Sequence, residues 1–138
     1  MELKRNYCTT REQSRRLFDL GLNPDTSDMY YDLSYSCQTP FIGDYPLKGM
    51  EIYNPNCIQA AWSLHRLIDL FPCLVEKKQC SVLLSVHKHG ISCIYTNLLK
   101  NTQEKKLFDA YEDLYENFID AFEWAIDEGL VKKEYLNQ

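Results

Sequence analysis

Cys80-Ser81-Val82-Leu83-Leu84-Ser85-Val86-His87-Lys88-His89-Gly90-Ile91-Ser92-Cys93-Ile94-Tyr95-Thr96 decides the fold. Two runs rich in apolar and β-branched residues flank a His-Gly pair, the pattern of an antiparallel hairpin. A two-residue turn at His89-Gly90 pairs Val86 with Cys93 and Leu84 with Tyr95. It also gathers Val82, Leu84, Val86, Ile91, Cys93 and Tyr95 on one apolar face. In that register His87 points away from Cys93, which argues against a His87/His89/Cys93 metal site; a slip of one residue would reverse this.

Downstream, Asn101 with Glu104 forms a capping pair and Gly129 a helix stop, which predicts a last helix of up to about 27 residues. That is long for a small domain, so a restart at Asp113 or Asn117 is the alternative. Asp109, Glu112, Asp113, Glu116, Asp120, Glu123 and Asp127 recur at three- and four-residue spacing and share about a quarter of the helix circumference. Opposite them Tyr111, Leu114, Tyr115, Phe118, Ala121, Phe122 and Ala125 form the expected core face. Residues 109–128 hold eight carboxylates and no lysine or arginine, a charge of −8 against −5 for the whole chain. Like charges three or four apart cost about 0.2 to 0.5 kcal/mol per pair, so this stripe opposes the helix that carries it. A solvated surface is the simpler reading of such a face. The functional one is a docking surface for a basic protein partner, built from Glu112, Glu116, Asp120, Glu123 and Asp127 with Trp124 as a rim anchor.

Upstream, Thr9-Thr10-Arg11-Glu12-Gln13-Ser14 carries the capping-box pattern and Gly21 fits a left-handed C-terminal cap, so a helix of about three turns ends before Asn23-Pro24. Met29 to Ser36 is short, aromatic and partly alternating, the pattern of an edge strand. Pro40, Gly43, Pro46 and Gly49 make residues 37–56 a loop, with one short strand around Met50 to Tyr53. Asn54-Pro55-Asn56 then opens a second helix that Pro72 ends, with Cys57, Ala60, Ala61, Leu64, Leu67, Ile68 and Phe71 on one stripe. Trp62, His65 and Asp69 fall on a neighbouring strip. An exposed His65–Asp69 pair beside a half-buried indole is the structural reading; a pocket lined by Trp62, His65, Tyr45 and Tyr53 is the functional one.

The chain of 138 residues, 45% hydrophobic and 25% charged, has the composition of one globular domain, 1–138, not of a disordered chain. Its longest apolar runs, such as Val82-Leu83-Leu84, are too short to cross a bilayer, and Met1-Glu2-Leu3-Lys4-Arg5 leads into no apolar signal segment. A cytoplasmic protein without a membrane partner is therefore expected. The six cysteines show no Cys-x-x-Cys or zinc-finger spacing. In a reducing compartment they should stay free, with Cys57, Cys73, Cys80 and Cys93 acting as small buried hydrophobes. Lysine and arginine collect on no face, so direct nucleic-acid binding is not expected. No catalytic residue, metal or cofactor is assigned, and exposed aromatics leave a homodimer as a further outcome.

The run Cys8-Thr9-Thr10-Arg11-Glu12-Gln13-Ser14, continued by Leu20-Gly21-Leu22-Asn23-Pro24-Asp25-Thr26-Ser27-Asp28-Met29, resembles the opening of a family of small uncharacterised Bacteroidetes proteins, often encoded on prophages or other mobile elements. Ala61-Trp62-Ser63-Leu64 with Phe71-Pro72, and the closing Ile119-Asp120-Ala121, extend the likeness to about half the chain. The resemblance implies a bacterial or phage cytoplasmic protein and supplies no activity. The expected fold is α+β, a small antiparallel sheet of one hairpin plus short strands packed with three helices. The expected role is a non-enzymatic interaction module.

Overall fold

The computed structural model describes residues 7–33, 40–42, 58–88 and 90–137. It is an α+β fold with three α-helices and two antiparallel sheets, where one sheet was expected. The chain divides into two compact units, Met1–Leu70 with Lys133–Gln138, and Phe71–Lys132.

In the first unit, α1 (Arg11–Asp19) begins at a complete capping box: Gln13 N–H donates to Thr10 Oγ1, and Thr10 N–H donates to Gln13 Oε1 at 2.9 Å. It ends at Gly21 with φ +108°, where Gly21 N–H donates to Phe18 O and Leu22 N–H to Leu17 O, satisfying carbonyls the helix leaves open. β1 (Met29–Asp32) lies between β2 (Phe41–Ile42) and β3 (Ile58–Ala61), so it is the central strand and not an edge. The expected second helix is correspondingly shorter. Ile58–Ala61 pair with β1, and α2 spans only Leu64–Leu70, started by Ser63, whose Oγ accepts from Arg66 N–H at 3.1 Å. The expected opening at Asn54-Pro55-Asn56, Cys57, the strand around Met50 to Tyr53, and the pocket rings Tyr45 and Tyr53 lie outside the described residues.

In the second unit, β4 (Leu74–Val75), β5 (Cys80–His87), β6 (Gly90–Asn97) and β7 (Thr102–Phe108) form one antiparallel sheet in chain order. The hairpin is present with a shifted register. His87 pairs with Gly90, Val86 with Ile91, Leu84 with Cys93 and Val82 with Tyr95. Relative to the expected pairing the strands slip by two residues, and an even slip leaves the same side chains on the apolar face. His87 lies on the other face, where its Nε2 is 3.0 Å from Ser92 Oγ.

Thr102–Phe108, expected at the start of the last helix, is instead the strand β7. Asn101 caps no helix; with φ +52° it turns the chain from β6 into β7. The helix α3 (Leu114–Asp127) starts at Asp113, whose carboxylate accepts from Tyr115 N–H at 2.9 Å. Gly129, with φ +69°, ends it as Gly21 ends α1: Gly129 N–H donates to Ile126 O and Leu130 N–H to Ala125 O. Tyr115, Phe118, Ala121, Phe122 and Ala125 are buried as expected, while Tyr111 stands 48% exposed before the helix. Phe71 packs edge-on against Phe118 and Phe122 at 5.7 and 5.3 Å.

Asn117, fully buried on α3, braces the chain entering the helix: its Oδ1 accepts from Tyr111 N–H at 3.0 Å and its Nδ2 donates to Tyr111 O at 2.9 Å. Removing both bonds strands two backbone groups, each worth about 1 to 3 kcal/mol if left dry. Asn117→Ala should therefore lower stability by about 2 to 4 kcal/mol in urea unfolding. A loss below about 0.5 kcal/mol would show that the brace is replaceable by water.

Candidate functional site

Two groups of residues were expected to carry chemistry, and the structure treats them differently. Trp62 closes β3 and is completely buried. Its backbone N–H donates to Thr9 Oγ1 at 3.1 Å, its carbonyl accepts from Thr9 N–H at 2.9 Å, and its indole N–H donates to Thr26 Oγ1 at 3.0 Å. His65 lies on α2 with its side chain 87% exposed and its Nε2 3.5 Å from Asp69 Oδ2. The i,i+4 pair therefore forms as expected, yet the indole is not half-buried beside it. Trp62 has its donor satisfied inside the core, so it offers a ligand at His65 nothing to bind. An exposed pair of this kind contributes at most about 1 kcal/mol.

What surrounds Trp62 is a polar core that sequence patterning did not show. Thr9, Gln13, Ser14, Thr26, Ser27 and Gln59 are all buried. Thr9 Oγ1 and Ser14 Oγ are 2.8 Å apart, Tyr31 Oη donates to Thr9 O at 3.0 Å, and Gln59 exchanges bonds with Arg11, giving Nε2 to its carbonyl at 2.7 Å. Asp28 accepts from Ser63 N–H and Ser63 Oγ, and Arg66 Nε donates to Thr26 O at 2.7 Å. Thr9, Thr10, Gln13, Ser14, Asn23, Thr26 and Asp28 each spend a side-chain hydrogen bond on a loop, a helix start or a strand end. Ser27 Oγ is the exception, a buried hydroxyl with no bonded partner among the described residues. Burial and the charge of Asp28 push the Cys8 thiol up in pKa, outweighing the bond from Tyr31 that lowers it, so this is an unreactive thiol.

The carboxylates form the second group. Asp109 and Glu112 precede α3 and Asp113 is its cap, so Glu112 leaves the expected helical stripe. Glu116, Asp120, Glu123 and Asp127 remain, within about 60° of arc at 100° per residue. Glu116 and Asp120 are half-buried and engaged with neighbours; Glu123 and Asp127 are exposed, with no ion pair among the described residues. The buried residues Phe118, Ala121, Phe122 and Ala125 occupy the opposite side. Trp124 is not a free rim anchor. Its ring lies 6.2 Å from Tyr95 and 6.1 Å from Phe108, holding α3 against β6 and β7.

No family model, curated protein or solved structure matches this chain. The arrangement itself thus carries the functional argument. Among the described residues no three metal-ligating side chains gather. No helix among them is long and apolar enough to cross a membrane.

The thiols complete the electrostatics. Cys8, Cys80 and Cys93 are buried and free, whereas Cys73 is exposed, contrary to its expected burial; Cys57 lies outside the described residues. Burial pushes the Cys93 thiol up to about 11. Its raised value means that the folded state holds the proton longer than the unfolded chain does. The associated stability is intact below pH 9 and is lost as pH rises from there through about 11. Across that window wild type should lose about 2 kcal/mol more than Cys93→Ala in parallel urea titrations. Equal losses would show that Cys93 ionises without unfolding anything. At neutral pH a thiol reagent should label Cys73 within minutes and Cys8, Cys80 and Cys93 only on unfolding.

Proposed function

We propose that the protein is a non-enzymatic interaction module whose α3 presents an acidic face to a basic protein partner. The supporting observation is the placement of Glu116, Asp120, Glu123 and Asp127 on the side of α3 opposite its buried face, in a segment without a lysine or arginine. Glu123 and Asp127, four residues apart, repel each other, and Asp127 also faces the negative end of the helix dipole. A lysine- or arginine-rich surface would remove both penalties on binding and would be steered by the same field. The resemblance of the Cys8–Met29 stretch to mobile-element proteins supports a place in a bacterial or phage cytoplasm, as an accessory factor and not a catalyst. A pocket at Trp62 and His65 is not favoured, because the indole is spent within the core.

The test is retention of basic proteins from a bacterial lysate on immobilised wild type, at low salt and at about 0.5 M salt. Retention should be confined to low salt. It should vanish for Glu116→Lys/Asp120→Lys/Glu123→Lys and for the milder Glu123→Lys/Asp127→Lys, both checked for unchanged circular dichroism. The same proteins retained by the folded variants would make the face a solvated one.

A further inference from the structure

The β4–β7 sheet has a second face, on which three leucines stay exposed while Ser92 is buried. Alternation along the strands puts Leu74, Leu83, Ile94 and Leu107 on the side opposite α3, since Leu83 pairs with Ile94 and Leu107 lies diagonal to it across β6. Leu74, Leu83 and Leu107 are 57%, 62% and 57% exposed, and Ile94 is half-buried. Around them the strands supply serine, threonine and glutamine. Lys105 and His87 are the ionisable groups the strands place on this face; Glu104 lies on the other, paired with Lys106 at 2.8 Å.

We propose that this outer face docks a second copy of the same chain, two sheets packing face to face about 10 Å apart. The charge distribution permits that partner and disfavours a dimer through α3. The face carries no carboxylate, while the opposite side of the unit bears α3, within a segment of charge −8. Sheet-to-sheet packing keeps the two acidic helices on opposite outsides, whereas a dimer through α3 would set them against each other. The size also fits a modest dimer. Three strands of seven or eight residues, with two-residue β4 beside them, span roughly 14 by 27 Å, on the order of 400 Å² in plan. The corrugated accessible surface exceeds that but stays below the ~800 Å² per partner that stable interfaces bury, which fits an association that is weak and needs high concentration. The resulting association is concentration-dependent, led by leucines where exposed aromatics were expected, and indifferent to salt.

Sedimentation equilibrium on the whole chain, up to about 0.5 mM, tests it. Wild type should rise from 16.3 kDa toward twice that mass with concentration, at low and at high salt alike. Leu83→Thr/Leu107→Thr, which keeps strand propensity, should weaken dimerisation at least tenfold with an unchanged far-ultraviolet spectrum. Leu83→Glu/Leu107→Glu should abolish it. A wild type that stays at 16.3 kDa throughout overturns the proposal, as does a dimer that survives the folded glutamate variant or dissociates in high salt.

Discussion

The packing of α3 on β6 and β7 is the contact on which the second unit depends. Trp124 meets Tyr95 and Phe108 from above, while Phe118 and Phe122 close on Phe71. A fully buried aromatic side chain contributes on the order of 2 to 3 kcal/mol through the area it removes from water, so these rings outweigh the repulsion of a few surface charges. Once that face of the helix is committed, its other residues have one place left to go. Glu123 and Asp127 point outward because the rings point inward, and α3 covers only one face of the sheet.

The first unit is held by a different kind of contact. Thr9 N–H donates to the Trp62 carbonyl and Thr9 Oγ1 accepts from the Trp62 amide, so a residue just before α1 fixes the end of β3. Gln59 ties β3 to the first turn of α1, and Thr26 takes the indole proton. Buried polar groups stabilise a core only when bonded, and here nearly all are. The result is an interior specified by geometry as much as by apolar area, which explains why short strands of four residues and a helix of seven suffice to build it.

Much of this was legible in the chain. Thr10, Gln13 and Gly21 announced α1 through capping chemistry that needs no distant partner, and the alternation from Val82 to Tyr95 announced the hairpin face. The register did not follow, because a slip of two residues leaves the same side chains on the same face and periodicity cannot register the difference. Thr102–Phe108 read as helix since Gln103, Glu104, Lys105 and Lys106 favour helix locally. They form a strand because β6 offers an open row of hydrogen-bonding groups, and charged residues suit the edge that results. Ile58–Ala61 deceived in the same way: two alanines matched a helical stripe, and only pairing with β1 makes them a strand. At the candidate sites the i,i+4 spacings of His65–Asp69 and of the α3 carboxylates survived, being local. The burial of Trp62 and the packing of Trp124 did not show, being set by partners 36 and 29 residues away.

The proposed docking face requires that Glu123 and Asp127, which make no ion pair among the described residues, are held out to solvent. Thermal unfolding of wild type beside Glu123→Gln/Asp127→Asn, from low salt to about 0.5 M, measures this directly. The neutral variant should be more stable by about 0.5 to 1 kcal/mol at low salt, with the gap closing as salt screens the repulsion. A variant that is less stable than wild type, or a gap that salt leaves unchanged, would mean that these side chains are bound within the fold and not held out for a partner.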